Sequence, residues 1–597
     1  MARNSVKADE DLGNHSNIEI IIRLLSYLRP YALKVIVVLL LMIFVMICTV
    51  INPYLLKVCI DSFIVKSNLN GLFILAVVMV VYNFIAMVAS TIRMNYMANI
   101  TNTILIDIRQ ELYTHIQRLT FSFFDNRPVG KILARVMGDV NSLQELFNNS
   151  ITSLIPEVLN LVCVGIIMFY MNFRLALSSL ILLPFLIIAM FAIEGVSRKR
   201  WQVYRQKRSN FNGFTHESFS GMKIIQSFAG EPNKSHAFKE LVTMMMDGFM
   251  SAIRLNDLFW PIVELSWGVG ALVVYYFSTK LIKADANSLT IGTLVAFVSY
   301  VGMFWRPVIN LTQFYNTLVT NFASAERIFE ILDIEPDIKD CINAVTMPKI
   351  KGQVEFKNVT FGYEDGTIVL DNINLKVHPG ETIALVGPTG AGKTTIVNLI
   401  SRFYDAEEGE ILIDGINVKN VDLESLRSQM GIMLQDTFLF STTIKENIRY
   451  GRLNATDDEV IAAAKAVSAH QFIMNLENGY ETDVNERGSR LSVGQRQLIS
   501  FARALLANPR ILILDEATSN IDTNTERLVQ IGIEKLLHGR TSFVIAHRLS
   551  TIRDCDRIIS IDGGKIAEVG THEELMKLKG IYYELYLSQY RFISEGA

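Results

Sequence analysis

Thr382-Ile383-Ala384-Leu385-Val386-Gly387-Pro388-Thr389-Gly390-Ala391-Gly392-Lys393-Thr394-Thr395 reads as a buried strand, a glycine-rich turn and the first turn of a helix. Its GxxxxGK[ST] pattern, set between strand and helix, is that of a phosphate-binding loop. The glycines let successive backbone N–H groups wrap phosphate oxygens with no Cβ in the way, and the helix N-terminus adds its positive end. Lys393 is placed to reach the outer phosphates and Thr394 to offer its hydroxyl to Mg²⁺. With glycine near ~7% of residues, a chance match in a chain this long arises on the order of a few per cent of the time.

Working outward, Ile511-Leu512-Ile513-Leu514-Asp515-Glu516 is a second buried strand, ending in two acids. Asp515 is positioned to hold Mg²⁺ through water and Glu516 to polarise an attacking water as general base. Four further features surround this pair: Tyr363 in FGY, Gln435 in MLQDTFLF, Ser492-Val493-Gly494-Gln495 before a helix, and His547 after the strand SFVI. Short β-rich runs (Val354–Val359, Thr382–Val386, Ile511–Leu514, Ser542–Ile545) alternate with helical stretches, which predicts an α/β domain with a partly parallel sheet.

Upstream the chain has a different character. Val35–Leu56 is 22 residues without a charge, Leu72–Ile92 is 21 and Leu175–Ile193 is 19. Each is long enough to cross a hydrocarbon core of about 30 Å at ~1.5 Å per residue. Ile151–Phe173 and Leu258–Thr279 carry one acid each, Glu157 and Glu264, and Ala286–Trp305 is uncharged up to Arg306. Six spans are therefore predicted. Short loops alternate with long ones, and the long loop after residue 194 holds Arg198, Lys199, Arg200, Arg205, Lys207 and Arg208. The positive-inside bias then puts the long loops and both termini in the cytoplasm. Helical periodicity in those loops predicts that the membrane helices continue below the bilayer.

The predicted division is a cytoplasmic N-terminus with an interfacial helix (1–33), a six-helix membrane domain (34–325), a linker (326–349) and a nucleotide-binding domain (350–597). The polar first 17 residues offer no apolar core for a cleaved secretory signal. The 597 residues include 56 basic and 59 acidic side chains, a net charge of −3, which argues against a nucleic-acid partner. Five scattered cysteines show no metal-ligand spacing.

In this order the motifs resemble those of an ABC transporter, and with six preceding spans the whole chain resembles a half-size ABC exporter of the type IV fold. The resemblance implies ATP and Mg²⁺ as cofactors. It makes Tyr363 the adenine-stacking residue, Gly387 to Thr395 the Walker A cradle, Gln435 the Q-loop and a Mg²⁺ ligand, and Glu516 and His547 the catalytic base and switch. It places Ser519–Asp522 in the D-loop. FFDNRPVG (Phe123–Gly130) and Glu217–Glu231 resemble the two intracellular loops, which end in short coupling helices seated on nucleotide domains. The expected location of this chain is a bacterial inner or plasma membrane, crossed several times, with both termini and the nucleotide-binding domain cytoplasmic.

One motif departs from the family. The signature usually reads LSGGQ, whereas here Leu491-Ser492-Val493-Gly494-Gln495 has valine third. Ser492 and the helix start are expected to meet the γ-phosphate held by a second subunit, and a β-branched side chain resists the close backbone approach that glycine permits. Losing one charge-assisted bond of roughly 1.5 to 3 kcal/mol slows that site by about 10- to 100-fold. The pattern resembles one half of a heterodimeric bacterial multidrug exporter; a homodimer that tolerates the valine is the alternative. The expected substrate is a hydrophobic or amphipathic small molecule. A homodimeric lipid flippase and a regulatory or channel-type ABC protein are the other readings.

Charges inside a membrane are costly and therefore informative. Glu264 and Arg306 lie at similar depth near the cytoplasmic side. They are expected either to pair or to line a cavity with aromatics such as Trp260 and Trp305, where Glu264 would attract a cationic amphiphile.

Overall fold

The computed structural model describes residues 16–149, 154–181, 183–284, 289–341, 343–363, 366–433, 437–515, 523–545 and 552–595. The chain separates into two compact units. Of the described residues, one unit comprises 16–117 together with Val129–Ile334, and the other Arg118–Pro128 with 335–595.

The first unit is helical. It opens with Asn17–Leu28, whose start is fixed by a reciprocal capping box between Ser16 and Glu19. Ile20 and Leu24 are buried while Ile18, Ile22 and Leu25 are exposed, as an interfacial helix requires. Three described helical stretches are long and apolar enough to cross a membrane: Ile18–Ile64, Leu69–Arg118 and Glu264–Lys283. Ile155–Met171 and Ile291–Trp305 are shorter apolar helices. The predicted span Leu175–Ile193 falls on Phe173–Leu180 and Leu183–Ser220.

Helices of 50 residues (Leu69–Arg118), 38 (Leu183–Ser220) and 43 (Ile291–Asp333) far exceed the ~20 that a bilayer needs, so they extend beyond it. The last of these runs through 326–333, which were expected to be linker. Ala325, Ile328, Phe329 and Ile331 are buried at helical spacing, and this apolar stripe outweighs the charges of Glu326, Arg327 and Glu330. The core of this unit gathers Val50, Val164, Met168, Phe297, Tyr300 and Trp305, with Tyr300 donating to the Val50 carbonyl at 2.8 Å.

The second unit is α/β. A six-stranded sheet has the order β10-β9-β3-β8-β7-β6, from β3 (Thr382–Val386), β6 (Met430–Met433), β7 (Ile511–Asp515), β8 (Thr541–Ile545), β9 (Arg557–Asp562) and β10 (Lys565–Gly570). All its pairings are parallel except β10 with β9. Successive residues supply opposite cores. Ala384, Val386, Leu512 and Leu514 face one apolar cluster, while Ile383, Leu385, Ile511 and Ile513 face the other. This two-sided burial explains why these strands read as continuous apolar runs. A smaller antiparallel sheet, β2-β1-β4-β5, is built from β1 (Val354–Gly362), β2 (Ile368–Val377), β4 (Glu408–Ile413) and β5 (Ile416–Asn417).

Candidate functional site

The phosphate loop leaves the C-terminal end of β3, an interior strand between β9 and β8. Its backbone demands glycine at two places. Gly387 has φ +149° and a Cβ there would collide with the Ile561 carbonyl. Gly392, at φ +104°, caps the helix Lys393–Ile400, and a Cβ would come 2.6 Å from Leu370 Cδ2. The loop thus presents bare backbone above a helix N-terminus, a cradle for an anion.

Lys393 folds back over this cradle, its Nζ donating to the carbonyls of Gly387 (2.8 Å) and Pro388 (2.9 Å). Burial lowers its pKa from the ordinary lysine value, and the nearby Asp515 carboxylate pulls the other way. Asp515 ends β7 in register with Ile545 of β8, which in turn pairs with Leu385 of β3, so the acid stands level with the mouth of the loop. Thr394 is exposed and Thr395 buried. The Thr394 hydroxyl and the Asp515 carboxylate are hard oxygen donors of the kind that suits Mg²⁺, while the bare backbone N–H groups of the loop suit the anion of a nucleotide.

Tyr363 is 45% exposed and its hydroxyl donates to Thr395 Oγ1 at 3.1 Å. Its ring meets Phe361 and Tyr404 edge-on, both at 5.0 Å, which fixes its orientation while leaving surface for a base to stack. Tyr404 was not singled out from the sequence. It also donates to Asp125 Oδ2 at 2.5 Å, so the residue that holds Tyr363 also holds the short helix Phe121–Asn126.

The signature forms the N-terminus of the helix Val493–Ala507. Ser492 is its N-cap, accepting from the Gln495 N–H at 3.2 Å and donating its own N–H to Gln495 Oε1 at 2.9 Å. Ser492 and Val493 point outward, Val493 at 39% exposure, whereas Gly494 is buried. Among the described residues no hydrogen bond joins this segment to the phosphate loop of the same chain. Gln435, Glu516, Asp522 and His547 lie outside the described residues.

In the helical unit the expected substrate residues separate. Glu264 is exposed, and its pairing with Arg306 lies outside what is described, as do the side chains of Arg306 and Trp260. Trp305 is 3% exposed and belongs to the apolar core, so it packs helices together rather than lining an open face. An acid not assigned to this role, Glu157, instead accepts from Asn310 Nδ2 at 2.5 Å.

Comparison with known proteins agrees with this architecture. Residues 35–308 match the family model described as ABC transporter transmembrane region, and residues 370–519 the one described as ABC transporter. The chain is 38% identical over 595 residues to an ATP-dependent lipid A-core flippase of Syntrophus aciditrophicus (strain SB), covering 99% of this chain and 98% of that one. It is 38% identical over 574 residues to YgaD of Bacillus subtilis (strain 168), described as a putative multidrug export ATP-binding/permease protein, with 95% and 99% covered. The structure of a bacterial Atm1-family ABC exporter with ATP bound superposes with a TM-score of 0.78 at 28% identity, over 94% of this chain and 98% of that one. The chain therefore belongs to the ABC transporter family, as an exporter whose helical membrane domain is fused to an ATPase coupled to transport, in a fold that functions as a dimer.

Proposed function

We propose that this chain is one half of a heterodimeric exporter that moves hydrophobic or amphipathic small molecules out of a bacterial cell, its ATPase domain and both termini lying in the cytoplasm. The observation that carries the heterodimer is Val493. It stands exposed at the first position of the signature helix, the end that on this reading meets a partner's phosphate loop. A β-branched side chain there holds the facing backbone away.

In the proposed cycle Tyr363 stacks the adenine. The backbone N–H groups of Thr389, Gly390, Ala391, Gly392, Lys393 and Thr394 hold the phosphates, Gly387 and Pro388 shape the turn that aims them, and Lys393 swings from its two carbonyls onto the phosphates. Thr394, Gln435 and Asp515 are the proposed Mg²⁺ ligands; when bound, the ion neutralises charge on the phosphate oxygens. Glu516 orients and deprotonates the attacking water, and His547 stabilises the charge that develops. Ser492, Gly494, Gln495 and the D-loop Asp522 act across the dimer. Closure of two nucleotide domains draws the short intracellular helices together and turns the membrane helices outward.

The test is ATP turnover by the subunit purified alone and with its partner. Turnover of the single chain at least about 10-fold below that of the pair is expected from the loss of one charge-assisted contact. Equal turnover by the pure homodimer overturns the heterodimer. A homodimeric lipid flippase is the second reading, favoured by the lipid A-core flippase that this chain matches over nearly its whole length.

A further inference from the structure

We infer that Glu157, Asn160 and Asn310 form an intramembrane site that recognises the cationic head of an amphiphile; this rests on the reading of the chain as an amphiphile exporter. Glu157 lies 14 residues before the end of the helix Ile155–Met171, or ~21 Å along it. Asn310 lies 19 residues into the helix Ile291–Asp333, or ~28 Å from its start. Both distances run from the same, non-cytoplasmic side, so the pair sits in the cytoplasmic part of a hydrocarbon core about 30 Å thick.

An ionisable residue at such a depth needs a partner. Among the described residues Glu157 receives one hydrogen bond, the amide of Asn310 at 2.5 Å, and forms no ion pair. One turn further along the same helix face, the Oδ1 atom of Asn160 is buried and has no hydrogen-bond partner. Two acceptor groups without a cation thus stand side by side on one helix, and a buried acceptor without a donor costs about 1 to 3 kcal/mol. An interhelical bond made only to hold two helices together would neither need a carboxylate nor leave the Asn160 acceptor unpaired beside it.

The surroundings suit the rest of an amphiphile. Phe304 and Val308 lie on the same helix as Asn310, toward its start, and are only partly buried where they pack against the apolar core; Met46 joins them from a neighbouring helix. Of these, Phe304 lies against Gly165 of the Glu157 helix, and its ring offers an apolar surface to the body of a cation held at Glu157. A neutral compound of the same shape gains the apolar contacts but not the charge-assisted bond.

The experiment uses inside-out vesicles containing the full transporter and measures ATP-driven uptake of dodecylguanidinium, a cation whose N–H groups donate hydrogen bonds, and of its neutral analogue dodecylurea. Glu157→Gln should lower uptake of the cation about 10- to 100-fold relative to the neutral compound, the equivalent of one charge-assisted bond. Glu157→Asp should recover most of it. Asn160→Leu, an apolar change suited to a membrane helix, should lower cation uptake a few-fold and spare the neutral compound, which keeps the test open if Glu157→Gln fails to reach the membrane. Equal losses for both compounds overturn the site while leaving amphiphile export standing. A selective loss in Glu264→Gln but not in Glu157→Gln also overturns it and moves recognition to Glu264. If the unaltered transporter takes up neither compound, the amphiphile reading fails and this site with it.

Discussion

The two intracellular extensions each carry a six-residue helix, FSFFDN in the first and MKIIQS in the second, and the two helices differ in how they are covered. The first carries the six-residue helix Phe121–Asn126, which is seated within its own chain's nucleotide unit. Phe121 packs on Phe403 with centroids 4.4 Å apart, Asp125 accepts from Tyr404, and Thr120 and Ser122 both donate to Asp337 Oδ2, at 3.1 and 2.7 Å. The second carries Met222–Ser227, also six residues, but here Phe219 (71%), Ile224 (67%) and Phe228 (83%) stand open. Ile224 lies on that helix, Phe219 near the end of the helix before it and Phe228 just after it, so three large apolar side chains form one exposed group of the kind that marks a binding surface. One extension thus finds its seat in its own unit, and the other leaves an apolar surface exposed.

They are also braced differently. The return leg of the first is clamped by charge: Arg327 donates from Nε and Nη2 to the buried Asp139 carboxylate at 3.0 and 2.5 Å, with Arg135 at 3.2 Å. The arms of the second, Leu183–Ser220 and Glu231–Asn256, are held to each other by rings, among them Tyr204 on Phe249 at 5.4 Å and Phe211 on Phe238 at 5.2 Å.

The largest expected effect follows from the charge clamp. Arg327→Ala takes the two-pronged partner from a buried carboxylate, leaving it Arg135 and Ser324, and should cost up to about 3 to 5 kcal/mol, read as a lowered midpoint in thermal unfolding of the detergent-solubilised protein. A change under about 1 kcal/mol would show that Arg135 alone satisfies Asp139. Burial alone would raise the Asp139 carboxyl, but the bonds from Arg327 and Ser324 and the charge of Arg135 outweigh it, so the group lies below its usual value. Its contribution is therefore complete above the unfolded value near ~4 and is lost as pH falls through the lower folded value. Unfolding midpoints of the parent and Arg327→Ala should converge only in that acid window.

Next in size is the open surface of the second extension. Phe228→Asp removes a side chain whose full burial contributes about 1.5 to 3 kcal/mol and puts a charge in its place. Substrate-stimulated ATP turnover of the reconstituted dimer should fall about 10- to 100-fold, while Phe121→Asp, acting within the chain, should also lower the stability of the isolated subunit. If Phe228→Asp leaves coupling intact, the exposed rings face lipid or solvent and the contrast between the two extensions collapses.

How much of this could be read in advance depended on distance along the chain. The strand Thr382–Val386 was predicted to the residue because both of its faces are buried and a glycine loop terminates it. The extent of Ile291–Asp333 was missed at its end because Glu326, Arg327 and Glu330 disguise an apolar stripe that sequence polarity alone does not rank. Tyr404 and Asp125 are 279 residues apart, and Glu157 and Asn310 are 153 apart. No local spacing rule connects such pairs; only the packed helices and sheet bring them together.

The smallest expected effect isolates the seat of the first extension. Tyr404→Phe keeps the ring that supports Tyr363 but removes the hydroxyl that holds Asp125. Because that bond lies at an exposed edge, its loss should cost about 1 kcal/mol, near the low end for a bond to a charged group, or about 5-fold in substrate-stimulated turnover. Nucleotide affinity should stay as it was, since the contact to Tyr363 survives. Tyr404→Ala removes both and should weaken ATP binding as well. Asp125→Asn combined with Tyr404→Phe closes a double-mutant cycle: a coupling energy of several tenths of a kcal/mol or more places the bond on the path between adenine site and membrane helices. Strict additivity would mean that the short helix is held by Phe121, Phe403 and Asp337 alone, and that Tyr404 serves only the base.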